Sequence, residues 1–155
     1  MAYDGKRNQY HKDFRTAQLP AGYLAEGYYL VRNDEKIMRK EYIIEFPEAI
    51  ANTLSNREET KNGKKNKRSQ IRKFYEYSLR IQNVMKRKNG NFEMVEADLK
   101  WLVPAVKYAQ TRDVVSDLFV RFVEKNIAAI HNKDDLKAFV KHFEAIVAYL
   151  PKEKN

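Results

Sequence analysis

From Ile71 to Met85 the apolar side chains recur at helical spacing, and no other run constrains the fold as much. Ile71, Phe74, Tyr75, Ser78, Ile81 and Met85 share one face at about 100° per residue, and Arg72, Lys73, Arg80 and Arg87 share the other, with Glu76 among them. Tyr77, Leu79 and Val84 fall on the flanks. Ser69 is placed to cap the start of this helix, and Asn89-Gly90 to stop it. The spacing therefore predicts a helix that docks its apolar face on a core and turns a basic stripe outward.

The neighbouring segments read the same way. A helix is expected from Asp34 or Glu35 to Leu54, capped by Asn33 or Asp34, with Ile43, Phe46, Ile50 and Leu54 inward. Pro47 should kink it or open a second helix. A third helix is expected over 92–110, kinked or split at Pro104, with Trp101 and Tyr108 at its edges. A fourth spans 111–131, with Val115, Leu118, Phe119, Phe122 and Ile130 inward. A fifth opens at Asn132 with Asp134 and Asp135 in its first turn, carries Leu136, Phe139, Val140, Phe143, Ile146, Val147 and Leu150 as its stripe, and ends at Pro151. Nothing between residues 35 and 150 demands a strand. The expected fold is all-α, a compact bundle of five or six helices over 35–151. It is preceded by an irregular aromatic-rich segment, 1–34, and followed by a short tail, 152–155. Tyr3, Tyr10, Phe14, Tyr23, Tyr28 and Tyr29 of that first segment should pack on the core, the sharper alternative being that some stack on bases; Tyr28–Val31 could form a short strand.

Charge is unevenly placed. Residues 57–90 hold twelve Lys/Arg and three acids, which accounts for the whole net charge of +9; the rest of the chain is balanced. Residues 57–68, with Gly63 and no apolar side chain, read as a basic loop that is mobile when nothing is bound. Lys64, Lys65, Lys67 and Arg68 of this loop stand at the start of the basic helix, whose N–H groups also favour anions. With Arg72, Lys73, Arg80 and Arg87 they could follow several phosphates of a polyanion without reading bases.

Chemistry-bearing patterns are scarce. His11, His131 and His142 are not at metal-ligand spacing, and His142 lies among core residues. Ser69, Ser78 and Ser116 lack a nucleophile context, and Gly63 and Gly90 form no phosphate-cradling motif. Cysteine is absent. These features predict no catalytic residues, no metal and no cofactor. The start, MAYDGKRNQYHKD, has no apolar core of a signal peptide, and the longest apolar run is Ala145–Leu150. A cytoplasmic protein without a membrane partner is expected.

Ser69-Gln70-Ile71-Arg72-Lys73-Phe74-Tyr75 resembles the helix-opening motif of the small, all-helical subunit of type III-A CRISPR effector complexes. Leu102-Val103-Pro104 followed by Lys107-Tyr108-Ala109 and Arg112, and Phe139 followed by Phe143-Glu144-Ala145-Ile146-Val147-Ala148-Tyr149, agree with that family in order and spacing. The resemblance covers about residues 35–151. Thr111 departs from it, since a glycine is frequent before the arginine in relatives.

The resemblance implies a non-catalytic subunit whose copies stack beside a filament of backbone subunits, along the duplex of guide RNA and target RNA. Backbone subunits cut the target, and a large subunit carries the signalling and DNase activities. It implies Arg72 and Lys73 as RNA contacts and adds Lys107 and Arg112. A different reading is a helical DNA-binding protein that uses residues 69–88 as its recognition helix, which would call for base-reading side chains on the exposed face. A small nuclease would call for clustered carboxylates, which the sequence does not offer.

Overall fold

A computed structural model describes residues 17–152. Helix dominates, at 60% of the described residues. The elements are β1 (Tyr29–Arg32), β2 (Glu35–Met38), a 3-10 turn at Lys40–Tyr42, α1 (Glu45–Leu54), α2 (Arg68–Arg87), a 3-10 turn at Phe92–Met94, α3 (Glu96–Lys100), α4 (Leu102–Thr111), α5 (Asp117–Ala129) and α6 (Lys133–Tyr149).

The central element is α6. Its stripe of Leu136, Phe139, Val140, Phe143, Ile146 and Val147 is buried, and both α1 and α2 pack on it. Asn132 caps it as the sequence predicts, accepting from the N–H of Asp135 at 2.9 Å. Then α5, packed on α4, adds Phe119 and Phe122; the Phe122 and Phe143 rings meet edge-on at 5.4 Å. Each of these fully buried aromatic or aliphatic side chains contributes roughly 1.5–3 kcal/mol by leaving water.

The expected helix from residue 35 to 54 is corrected by the structure. Glu35–Met38 is a strand, paired antiparallel with Tyr29–Arg32 so that Tyr29 faces Met38 and Arg32 faces Glu35. Asn33 and Asp34 are therefore a two-residue hairpin loop and not helix caps. Both adopt left-handed φ, 53° and 63°, the conformation that a type I′ turn requires and that Asn and Asp tolerate. The helical part begins only at Glu45.

The two prolines take equivalent places. Pro47 is the third residue of α1 and Pro104 the third of α4. The first-turn N–H groups of a helix have no intrahelical partner, so a proline there removes nothing. The helix neither breaks at Pro47 nor begins on it. The expected third helix is split, with the division at Trp101, ahead of Pro104. The fourth helix starts at Asp117 and not at Thr111, because Asp113 turns the chain with a φ of 60°. Ser69 is the second residue of α2, not its cap; Lys67 holds the cap position. At the other end Asn89 is left-handed and the N–H of Gly90 reaches the carbonyl of Met85, a Schellman closure.

Buried polar groups tie distant segments together. Tyr28 donates to Oδ1 of Asn126 at 2.7 Å, and Nδ2 of Asn126 donates to the Tyr23 hydroxyl at 2.9 Å. The Tyr23 hydroxyl meets Nε2 of His142, whose Nδ1 stands 2.7 Å from the carbonyl of Tyr42. Tyr23 and Tyr28 are thus core residues, and Tyr29 is half-buried with its hydroxyl on the carbonyl of Asp134. Tyr3, Tyr10, Phe14 and His11 lie outside the described residues.

Candidate nucleic-acid interface

Twenty residues long, α2 buries Ile71, Ser78, Ile81 and Met85, with Phe74 and Tyr75 partly covered, as its period predicts. Arg72, Lys73, Arg80 and Arg87 are exposed along its outer side. Arg72 approaches Glu76 at 3.5 Å, an exposed pair of little energetic weight that leaves the guanidinium accessible. The Arg80 guanidinium lies 5.6 Å from the centre of the Tyr77 ring. Tyr77 in turn donates to the carbonyl of Asp98 at 2.8 Å, which fixes this side of α2 against α3.

Cations collect at the wrong end of α2 for helix stability. Lys67 caps it, Arg68 opens it, and its first turn holds no acid. The N-terminus of a helix carries partial positive charge, and anions are favoured there by about 0.3–1 kcal/mol each. Lys64, Lys65, Lys67 and Arg68 reverse that preference. Lys64 and Lys67 are exposed, whereas Lys65 and Arg68 are half-buried, Nε of Arg68 being covered with no hydrogen-bond partner. Lys65, Lys67 and Arg68 line an open pocket of about 370 Å³ together with Lys152, a residue that sequence reasoning left in the tail.

The loop that carries these lysines is held at two polar anchors. Thr60 is buried and its hydroxyl accepts from the N–H of Gly63. Asn66, 4% exposed, donates to the Leu54 carbonyl at 3.0 Å and to the Ser116 hydroxyl at 2.9 Å, and accepts from the Ser116 N–H at 2.9 Å. An absence of apolar residues concealed both anchors from a reading based on hydropathy.

Those anchors bring Arg112 close to the lysine loop. Asn66 donates its N–H to the carbonyl of Val114, and Lys65 pairs with Asp113 at 3.6 Å, next to Arg112 in the chain. Lys107 is not part of this grouping. It pairs with Glu124 of α5 at 3.5 Å, on the opposite flank of α4 from Arg112. Trp101 and Tyr108, which the sequence placed at helix edges, are 59% and 65% exposed, and the Arg112 guanidinium lies 5.6 Å from the Tyr108 ring centre.

His142 is fully buried, and burial holds its imidazole down at about 4 despite the Tyr42 carbonyl. Among the described residues no three His, Asp or Glu side chains converge as metal ligands, and no helix is long and apolar enough to cross a membrane.

The family model described as Csm2 Type III-A matches residues 33–153. No curated protein and no solved structure gives a significant match.

Proposed function

The chain belongs to the Csm2 type III-A family, subunits of type III-A CRISPR complexes, and from that premise we propose that it is a non-catalytic subunit that holds the duplex of guide RNA and target RNA through backbone phosphates. Its partners in this reading are the backbone and large subunits of the complex and further copies of itself in a stack. Contact is by shape and charge, as suits an A-form duplex whose deep groove hides its bases.

One observation carries the proposal: cations crowd the positive end of α2, where they weaken the helix they belong to. A polyanion laid along Arg68, Arg72, Lys73, Arg80 and Arg87 relieves that repulsion. The stripe extends from Arg72 to Arg87, fifteen residues, or about 22 Å at 1.5 Å per residue. Lys64, Lys65, Lys67 and Arg112 flank its start. Lys107 stands apart from the stripe, beside Glu124 of α5, and is the least favoured of the candidate contacts.

The test is an assembled complex in which every copy carries Arg72→Ala and Lys73→Ala, with target RNA affinity measured across a salt series. Each lost phosphate contact should flatten the log–log slope by about 0.7–0.9 and weaken all RNA sequences alike. Unchanged affinity and slope in a complex that still assembles would remove phosphates from the role of this stripe.

A further inference from the structure

We propose that the flank of α4 bearing Trp101 and Tyr108 is a stacking surface for unpaired bases of an RNA strand whose phosphates follow α2. This rests on the RNA-contacting reading above and adds base contact to it.

Trp101 and Tyr108 are seven residues apart, two helical turns, and each leaves more than half of its surface in water. Arg112, a turn beyond Tyr108, covers part of that ring at 5.6 Å. Lys100 and Arg112 bracket the two rings in sequence, Lys100 in an exposed pair with Glu96 at 3.5 Å, while Lys107 faces Glu124. The surface continues into the stripe of α2: Tyr77 reaches the carbonyl of Asp98, one turn before Trp101, and Arg80 lies over the Tyr77 ring. Tyr77 and Tyr108 thus each carry a guanidinium 5.6 Å from the ring centre, and Tyr77 joins Arg80 to the α3 residues that lead into Trp101.

Trp, Tyr and Arg also recur at protein interfaces; what selects RNA here is the cationic stripe of α2, reached through Tyr77, in a chain whose family belongs to a type III-A CRISPR complex. Aromatic faces beside cations suit nucleobases, because every base has a π-face and the cations meet its phosphate. A duplex keeps its bases within its own stack, so only an unpaired strand can use these rings. Of the N-terminal tyrosines that could have played this part, Tyr23 and Tyr28 are otherwise engaged, each 1% exposed.

Trp101 is the only tryptophan, so its emission reports on this surface alone. The full chain would be titrated at low salt with oligo-uridine, with the same strand annealed to oligo-adenosine, and with an abasic ribose-phosphate chain of equal length. Oligo-uridine should quench Trp101; the duplex and the abasic chain should bind without quenching. By anisotropy of labelled RNA, Trp101→Ala should weaken oligo-uridine binding at least about fivefold and leave duplex binding unchanged, and Trp101→Phe should restore most of the loss. Equal quenching by the duplex, bound oligo-uridine without quenching, or full affinity in Trp101→Ala would each overturn the proposal. So would an emission change that appears only when neighbouring subunits assemble without RNA, which would assign the rings to a protein. An Arg72→Ala, Lys73→Ala chain run in parallel separates the two readings. Undiminished duplex binding there, with quenching by oligo-uridine retained, sinks phosphate contact by α2 and leaves stacking standing. A wild-type chain that binds none of the three RNAs at low salt sinks both.

Discussion

Tyr23 and His142, 119 residues apart in sequence, share a buried hydrogen bond in which the phenol is the donor. The assignment follows from the other side of the ring. Nδ1 faces the carbonyl of Tyr42, which can only accept, so Nδ1 carries the proton and Nε2 is left to accept from Tyr23. The neutral imidazole is fully satisfied, and a second proton on Nε2 would collide with the Tyr23 donor.

Stability should fall in acid because of this residue. Burial lowers the His142 value from 6.5 to about 4. As pH drops through 6.5 the unfolded chain takes up a proton that the folded one refuses until about 4, so the stabilisation is complete above that window and is lost within it, by about 3 kcal/mol. Urea unfolding at about pH 7 and about pH 4.5 would show it. His142→Gln, though less stable throughout, should lose less over the same interval; an identical loss would assign the acid sensitivity elsewhere.

Asn66→Ala should cost roughly 2–4 kcal/mol, because it strands the buried carbonyl of Leu54 and the N–H of Ser116. The left-handed backbone of Asn66, φ 61°, adds to the penalty for a residue with an ordinary Cβ. A loss below ~1 kcal/mol in chemical denaturation would mean that water replaces the asparagine there.

Within the hairpin, Asp34→Gly should stabilise by a few tenths of a kcal/mol up to about 1, since Asn-Gly is the preferred two-residue loop for this geometry. Asp34→Val should cost about 1–2 kcal/mol, as a β-branched side chain is forced into left-handed φ. Thermal melts of the two variants should therefore move in opposite directions from the wild type.

Among single alanine substitutions of the cationic residues, Lys73 and Arg80 should each reduce RNA affinity and its salt dependence by about one phosphate contact. Lys107→Ala should change neither by a comparable amount, because its ammonium stands beside α5 and not along α2. A larger effect from Lys107 than from Arg80, measured by filter binding across a salt series, would move the RNA path from α2 to the α4–α5 side.

The five-stripe pattern of the bundle was readable because its signals are local. The caps and period of α6 lie within its own residues, and so does the Schellman end of α2. Residues 33–38 misled for a physical reason. Asn-Asp serves equally as a helix cap and as a type I′ loop, and Glu35-Lys36-Ile37-Met38 is rich in helix formers, so strand pairing with Tyr29–Arg32 outweighs local propensity. The cationic site was legible as composition. Its groupings were not: Asp113 against Lys65, and Glu124 against Lys107, come from other elements and depend on tertiary packing. Trp101 escaped because its orientation depends on where α3 ends and α4 begins, which the 3.6-residue period across 92–110 does not mark.

The hydrogen bonds of Tyr23 and Tyr28 also set an order of events during synthesis. The acceptor for Tyr23 is on α6 and the partner of Tyr28 is on α5, so the segment around these tyrosines has nowhere to dock while the ribosome is still making the middle of the chain. Closing such distant contacts is the slow part of folding. The segment around Tyr23 and Tyr28 thus keeps its rings exposed, and open to a chaperone, until α6 emerges.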